Sequence, residues 1–230
     1  ESKQGLHSKM ASLEGTPEDR ASLMRRRLGY LPVLLRAIAL ADHGSQLMIL
    51  DVGCGFGHTL ALARELGLEG YGTDISKESL AYCRKQGLQV YEPQDFDGQY
   101  PDLKFDIIIT QSILEHAVDL NAFMSWVAGR ARPGTILYIN GLTPELIDAE
   151  RKTGSFVKAH FVEHINYFPS GALRVFMHDH GFTEVEREVV MVNARGIKVP
   201  RILVSAARMV MRQGVVKVFS KYYRYDKGTP

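Results

Sequence analysis

From Leu47 onward, apolar runs of strand length alternate with stretches whose apolar positions recur at helical spacing. Leu47–Val52 is a buried-strand pattern, followed by a glycine-rich turn over Gly53–Gly57. His58–Leu66 reads as a helix closed by Gly67, and Gly70–Thr73 as a short strand ending at Asp74. Lys77–Gln86 is the next helix, with Gly87 after it, and Leu88–Tyr91 the third strand. Phe105–Thr110, nearly all apolar and β-branched, is the fourth strand. Leu120–Arg130 is a helix, and Thr135–Asn140 a fifth strand after the turn Arg132-Pro133-Gly134.

Upstream, residues 1–15 are polar and patternless, which suits an arm. Thr16-Pro17-Glu18-Asp19 is a helix start: Thr16 caps, Pro17 takes the first helical position, and two acids meet the positive end of the dipole. The helix runs over 17–41 with a break expected at Gly29–Pro32, and Leu31, Leu34, Leu35, Ile38 and Ala41 share one face. Downstream, the connection 141–181 is too long to be a structureless loop, so it should carry helices and act as a cap. Ser170–His180 is one such helix, capped at Ser170 and stopped by Gly181. Phe182–Val192 and Ile202–Ala207 read as the last two strands.

Continuous apolar strands separated by helices imply an α/β fold with a parallel sheet covered by helices on both faces. Right-handed crossovers place the strand C-termini, and the ligand crevice, on one edge. The glycine turn, Asp74, Asp95 and Gln111 all follow strands and should lie on that edge. The organisation expected is an N-terminal helical arm (1–45), a core (46–207) that includes the cap 141–181, and a C-terminal tail (208–230).

Composition sharpens this only in part. At 230 residues the chain suits one α/β domain with appendages and needs no disulfide or metal staple. A net charge of +2 argues against a strongly basic nucleic-acid binder, so no nucleic-acid partner is expected. Two cysteines, Cys54 and Cys83, make no disulfide framework, and a reducing, cytoplasmic setting is the simple expectation. The apolar stretch Tyr30–Ala41 is broken by Pro32 and Arg36 and falls short of the ~20 residues that span a bilayer. No signal-peptide pattern is read, and the start at Glu1 rather than Met leads us to expect trimming upstream.

The stretch Ile49-Leu50-Asp51-Val52-Gly53-Cys54-Gly55-Phe56-Gly57 carries the most chemistry. A strand feeds a tight turn whose glycines admit a ligand close to the backbone, and a helix N-terminus offers free N–H groups beside it. The spacing is Gly-x-Gly-x-Gly rather than the dinucleotide Gly-x-Gly-x-x-Gly, with an acid two residues before the first glycine. Asp74 follows about 20 residues on, where a carboxylate accepts ribose hydroxyls. With Glu92-Pro93-Gln94-Asp95-Phe96, the run Phe105 to His116, Arg132-Pro133-Gly134-Thr135 and His164-Ile165-Asn166-Tyr167-Phe168-Pro169, these motifs resemble the class I S-adenosylmethionine-dependent methyltransferases. The last motif is similar to the small-molecule branch that includes quinone and natural-product enzymes. The resemblance covers roughly 45–210.

It implies a Rossmann-like, seven-stranded, mostly parallel sheet with the last strand antiparallel, and S-adenosylmethionine as cofactor. Asp51, Gly53, Cys54, Gly55 and Gly57 would line its methionine end. Asp74 would hold the ribose, Ile75 would pack on the adenine, Asp95 would meet the adenine amino group with Phe96 beside it, and Gln111 would complete the cofactor set. Cys54 lies near a helix N-terminus, where a thiol can be reactive, but the resemblance favours packing there.

Methyl transfer from a sulfonium is a displacement that gains much from holding the reacting atoms in line. A nucleophile that must lose a proton also gains from a general base. His116, after the fourth strand, and His164, in the cap, are the catalytic candidates, as base or as positioning groups. Glu115 is read as a partner of His116 or a cap for the next helix. His160 is a further histidine of the cap, and His178 and His180 are read as exposed residues at a helix end. No metal-ligand cluster is read from the sequence.

The expected function is therefore methylation of a small-molecule acceptor, most simply at oxygen. N- or C-methylation of a metabolite, a non-catalytic S-adenosylmethionine-binding module serving a partner, and a protein or RNA methyltransferase are the alternatives. At the chain's ends, Arg25-Arg26-Arg27 is read as a solvated helix face, with a phosphate-bearing substrate as the sharper alternative. The tail sets Arg208, Arg212, Lys217, Lys221, Arg224 and Lys227 against Asp226 alone. Interleaved Val, Met, Phe and Tyr suit a membrane surface or an acidic partner, but the charges fall on opposite helical faces. A docked helix or an ordered tail is the preferred reading.

Overall fold

The alternation read from the sequence is realised element by element in the computed structural model, which describes residues 17–41, 46–141, 164–192, 198–199 and 216–226. In chain order the elements are α1 (Pro17–Leu40), β1 (Met48–Val52), α2 (His58–Glu65), β2 (Glu69–Thr73), α3 (Lys77–Lys85), β3 (Gln89–Tyr91), α4 (Pro93–Gln99) and β4 (Phe105–Gln111). There follow a 3-10 turn (Leu114–His116), α5 (Leu120–Gly129), β5 (Ala131–Gly141), α6 (Ser170–Asp179), β6 (Phe182–Val192), β7 (Lys198–Val199) and β8 (Val216–Tyr225). Two compact units, Glu1–Ile107 and Ile108–Pro230, have their boundary inside β4.

In the first unit the strand order is β3-β2-β1-β4. β1, β2 and β3 are parallel, with Met48 opposite Glu69 and Tyr71 opposite Gln89. Their C-terminal ends therefore share one edge, and Gly53, Asp74 and Glu92 leave the sheet there. β4 is anchored early by its own acid, since Met48 N–H donates to Asp106 Oδ2 at 2.8 Å. α1 buries Val33, Leu34, Ala37 and Ala41. The helix passes through Pro32 without the expected break. Its buried face is rotated from the expected one, because Leu35 points outward.

One helix escaped the sequence reading. α4 starts with Pro93 at its first position after Glu92, a helix-start signal hidden inside what reads as a binding motif. It turns Phe96 into the core, against Tyr71, Tyr91, Tyr100 and Phe105 at ring distances of 5.4–6.2 Å. Tyr91 and Tyr100 share a hydroxyl hydrogen bond of 3.1 Å, and Tyr71 donates to Glu69. Burial and these partners push both the Tyr71 and Tyr91 phenols up to about 12.

In the second unit the order is β4-β5-β8-β6-β7. β8 pairs antiparallel with both β5 and β6, with Leu137 opposite Tyr223 and Phe182 opposite Tyr225. This corrects the reading of the C-terminal segment as a docked helix or tail. Residues 216–225 are a strand between two others, and the basic residue Lys221 is 1% exposed, neutralised by Glu184 Oε2 at 3.3 Å. β-branched and aromatic residues interleaved with Lys and Arg are strand chemistry as much as surface chemistry. The expected strand Ile202–Ala207 and most of the cap, including His160, lie outside the described residues. Seven strands plus the two-residue β7 give the Rossmann-like sheet that was expected, with its last strand antiparallel.

Smaller differences follow local chemistry. α6 is preceded by Pro169 as its N-cap, and Ser170 is its first residue rather than the cap. α5 is capped by Asp119, whose Oδ1 accepts from Ala122 N–H at 2.9 Å, so Glu115 is free of that task. β5 begins at Ala131, before Gly134, which takes φ 88°. His178 is exposed as expected, while the half-buried His180 caps α6 and contacts Phe176 O at 2.8 Å. Among the described residues no helix is long and apolar enough to cross a membrane.

Candidate functional site

In the first unit the glycine turn is shaped by backbone sterics. Gly53, Gly55 and Gly57 sit at φ 71°, 51° and 65°, a region that L side chains rarely adopt. Space adds to the constraint at Gly57, where a Cβ would lie 2.5 Å from Leu88 Cδ1 and 2.9 Å from Cys83 Sγ. Above Gly55 no described residue lies within 4 Å of the corresponding position, so the turn presents open backbone there. Gly53 and Cys54 N–H both donate to Thr73 O, at 2.7 and 3.0 Å, which ties the turn to the end of β2.

Asp74 continues that tie. Its Oδ2 accepts from Gly55 N–H at 2.7 Å and its Oδ1 from Ser76 N–H at 2.8 Å. The carboxylate is thereby oriented at the strand edge with further lone pairs for other donors. Ile75, beside it, is 86% exposed, an apolar side chain offered to the same edge. Asp51, at the end of β1, is buried, and burial pushes its carboxyl from the ordinary 3.8 up to about 7. A hydrogen bond with Thr59 works against that shift, and the charge of Asp74 adds to it. A cation at this edge would recover what desolvation costs Asp51.

Two residues of the expected cofactor set have buried side chains, Phe96 against the expectation and Cys54 in keeping with it. Phe96 is 0% exposed in the aromatic core and has no surface for a ligand; α4 turns Asp95 outward and Phe96 inward. Cys54 keeps its backbone in the turn, but its side chain is buried with Leu60, Leu80, Cys83, Leu88 and Val90. Contact with Cys83, then burial and nearby carboxylates, push its thiol far above the ordinary range, so it is a packing group. The same sulfur explains Gly72, where a Cβ would lie 2.9 Å from Cys54 Sγ.

In the second unit a different cluster forms around the 3-10 turn Leu114–His116. β4 ends at Gln111, whose Nε2 is buried without a hydrogen-bond partner among the described residues. Ser112 then adopts φ 52°, strain that a non-glycine residue seldom carries, with its N–H held by Asn140 Oδ1 at 2.8 Å. This sharp exit turns Glu115 inward, 2% exposed, while His116 stays half-buried. Burial raises the Glu115 carboxyl, opposed by its own backbone N–H, the charge of His116 and a hydrogen bond from Ser112.

The segment before α6 docks on this turn through backbone polar groups. Ile165 and Asn166 N–H donate to Glu115 O at 2.8 and 3.2 Å. Asn166 Nδ2 donates to Leu114 O at 3.1 Å and to Ala117 O at 2.6 Å, spanning the turn from both ends. His164 is thus brought to His116, with ring centroids 4.7 Å apart and planes inclined by 57°. The two histidines singled out in the sequence meet, and Asn166, which stands in the same motif as His164 but was given no role there, clamps them together.

The residues at the first unit's edge fit an adenosine-bearing cationic cofactor: a paired carboxylate for hydroxyls, an exposed apolar side chain for a ring, and open glycine backbone beside a buried acid. Comparison with known proteins agrees with the geometry. Residues 22–187 match the model of the family described as "Methyltransferase domain". The ubiquinone biosynthesis O-methyltransferase of Chelativorans sp. (strain BNC1) is 28% identical over 99 residues, 40% of this chain and 39% of that protein. The ajmaline N-methyltransferase of Rauvolfia serpentina is 31% identical over 140 residues, 52% of this chain and 48% of that protein. The alignments therefore span less than half the length of these relatives. Among solved structures, a SAM-dependent methyltransferase from Archaeoglobus fulgidus superposes with a TM-score of 0.62 at 18% identity, covering 86% of this chain and 94% of that one. Magnesium protoporphyrin IX methyltransferase from Synechocystis PCC 6803 gives a TM-score of 0.63 at 15% identity, covering 97% and 95%. With the family model matched over most of its length, this chain belongs to the methyltransferase-domain family and has the class I S-adenosylmethionine-dependent methyltransferase fold.

Proposed function

We propose that this chain transfers a methyl group from S-adenosylmethionine to an oxygen of a small-molecule acceptor, assisted by His116 and His164. The observation that carries this reading is the pair of imidazoles 4.7 Å apart beside a buried carboxylate. A hydroxyl nucleophile must shed a proton on methylation, and an imidazole is the side chain suited to take it near neutral pH. O-methylation is also the reaction named for one relative and N-methylation that named for another.

When bound, the cofactor supplies an electrophilic methyl on sulfur with a good leaving group. The chain's own residues do the rest. Asp51 and the backbone of Gly53–Gly57 hold the charged amino-acid end. Asp74 accepts the sugar hydroxyls with the lone pairs that Gly55 and Ser76 leave open. Ile75 covers a ring, and Asp95, exposed in the first turn of α4, accepts from an amino group. Gln111 offers an amide N–H that has no partner among the described residues. Holding the acceptor oxygen in line contributes about 7–11 kcal/mol in favourable cases, so positioning outweighs the ~10²–10⁴-fold from a base.

The test is formation of S-adenosylhomocysteine by the purified protein with a panel of phenols, alcohols and amines. Turnover with hydroxyl acceptors, lost by about a hundredfold in His116→Ala or His164→Ala at unchanged cofactor affinity, is expected. Turnover confined to amines, or undiminished in both variants, would overturn the role given to the histidines.

A further inference from the structure

We propose that Glu115, His116 and His164 form a binding site for a divalent first-row transition-metal ion, zinc being the ion that suits the ligand set. One carboxylate oxygen and one nitrogen from each imidazole all lie within 4.8 Å of one another. A tetrahedral zinc with bonds of about 2.0–2.1 Å sets its ligands about 3.3–3.5 Å apart, so small side-chain rotations close the site. Two imidazoles and a carboxylate are borderline donors that favour zinc, cobalt or iron over magnesium or calcium.

A second observation points to a cation independently of the spacing. Glu115 Oε2 is buried with no hydrogen-bond partner among the described residues, in a side chain that is 2% exposed. A buried carboxylate oxygen without a partner is costly, and a cation beside it removes that cost. The supporting shell is already in place. Asn166 Nδ2 bridges Leu114 O and Ala117 O, and Glu115 O accepts from Ile165 and Asn166 N–H, so the 3-10 turn and the His164 segment are fixed to each other. Ser112, at φ 52°, re-aims the chain so that the adjacent residues Glu115 and His116 can serve one centre. Metal sites depend on such outer contacts for their affinity. The sequence conceals the site, because its ligands are two neighbours and a residue 164 that reaches them only through the fold.

Three protein ligands leave at least one position open. A hydroxyl oxygen of the acceptor bound there would lose its proton more readily, and the imidazoles would then act as ligands rather than as bases. This chemical consequence rests on the function proposed above; the site itself does not.

The test uses the full chain stripped with a chelator, dialysed and titrated with Co²⁺ alone, followed by visible ligand-field absorption, with Zn²⁺ as competitor. One equivalent of Co²⁺ should bind and be displaced by Zn²⁺. His164→Ala and Glu115→Gln should each weaken binding by at least about tenfold, with far-UV circular dichroism showing that the fold is kept. Asn166→Ala, which keeps every ligand, should weaken it by roughly 10–100-fold, the usual effect of losing an outer-shell contact. Absence of a saturable Co²⁺ spectrum in the wild-type chain, or an unchanged one in folded His164→Ala, overturns the site. Metal binding without methyl transfer leaves the site standing and removes the proposed function. Full turnover in chelator with no Co²⁺ spectrum does the reverse.

Discussion

The glycine turn of the first unit and the Glu115–His116–His164 cluster of the second are built on opposite plans. The turn is made of neighbours in sequence, and its shape comes from backbone torsions at Gly53, Gly55 and Gly57 and from two N–H groups on Thr73 O. The cluster joins residues 115–116 to residue 164, and its shape comes from the Asn166 amide set across a 3-10 turn and from Ile165 and Asn166 N–H on Glu115 O. A local device is robust to distant change and sensitive to the loss of a hydrogen atom on a glycine. An assembled device is insensitive to local propensity and fails when its clamp is cut.

The largest expected effect separates core from cradle. Phe96→Ala should lower unfolding stability by about 3–5 kcal/mol, the usual cost of emptying an aromatic site, seen as a fall in denaturant midpoint. Cofactor affinity of the protein that remains folded should change less than about threefold. A large affinity loss without destabilisation would return Phe96 to the ligand edge. Next, Gly57→Ala should cost about 2–4 kcal/mol, combining left-handed backbone strain with overpacking against Leu88 and Cys83. Gly55→Ala meets no described residue within 4 Å and should cost only about 1–2 kcal/mol, yet lose more than tenfold in cofactor affinity. The pair divides packing from ligand approach within a single turn, by calorimetry on one side and equilibrium unfolding on the other.

The same contrast explains what the sequence disclosed. Strands β1 to β4 and helices α2, α3 and α5 were readable because each apolar run carries its own period and its own glycine or proline stop. The positions of Asp51 and Asp74 were readable because a strand end fixes where an acid goes. Phe96 was misplaced because α4 was not recognised, and one helical step separates the exposed Asp95 from the buried Phe96. β8 was misread because Lys221 looks like surface until its partner Glu184 is known, and that partner comes from a strand 30-odd residues earlier in the chain. The role of Asn166 is not legible in its motif, since a side-chain amide that bonds to backbone carbonyls needs no particular neighbours in sequence.

Cutting that clamp is the next prediction. Asn166→Ala leaves Leu114 O and Ala117 O without their side-chain donor, which should cost about 1–3 kcal/mol in stability. Turnover should fall about tenfold while cofactor affinity stays level, because the cradle shares none of these bonds. Asn166→Asp, which turns a donor into an acceptor facing two carbonyls, should be worse than alanine. Equal loss of cofactor affinity and turnover would mean that the two devices are not independent.

The smallest effect expected is the most specific, because it reads a proton. Asp51 is raised to about 7 by burial, with the Thr59 hydrogen bond lowering it and Asp74 raising it. A cationic ligand needs the carboxylate, so cofactor binding should be accompanied by proton release below neutrality. For a group that titrates near 7 in the free protein, affinity should rise about tenfold from pH 6 to pH 8 and flatten above that. Stability of the cofactor-free chain should move the other way. The folded state binds the proton more tightly than the unfolded one, so this stabilisation is complete below the ordinary pKa of 3.8 and is lost as pH rises through about 7. Asp51→Asn should abolish both slopes, leaving a chain more stable than wild type at pH 8 that binds cofactor weakly at every pH. Calorimetry in two buffers of different ionisation enthalpy would count the proton directly. A proton count that survives Asp51→Asn would show that Asp51 is not the group that releases the proton and would make it a structural residue of β1.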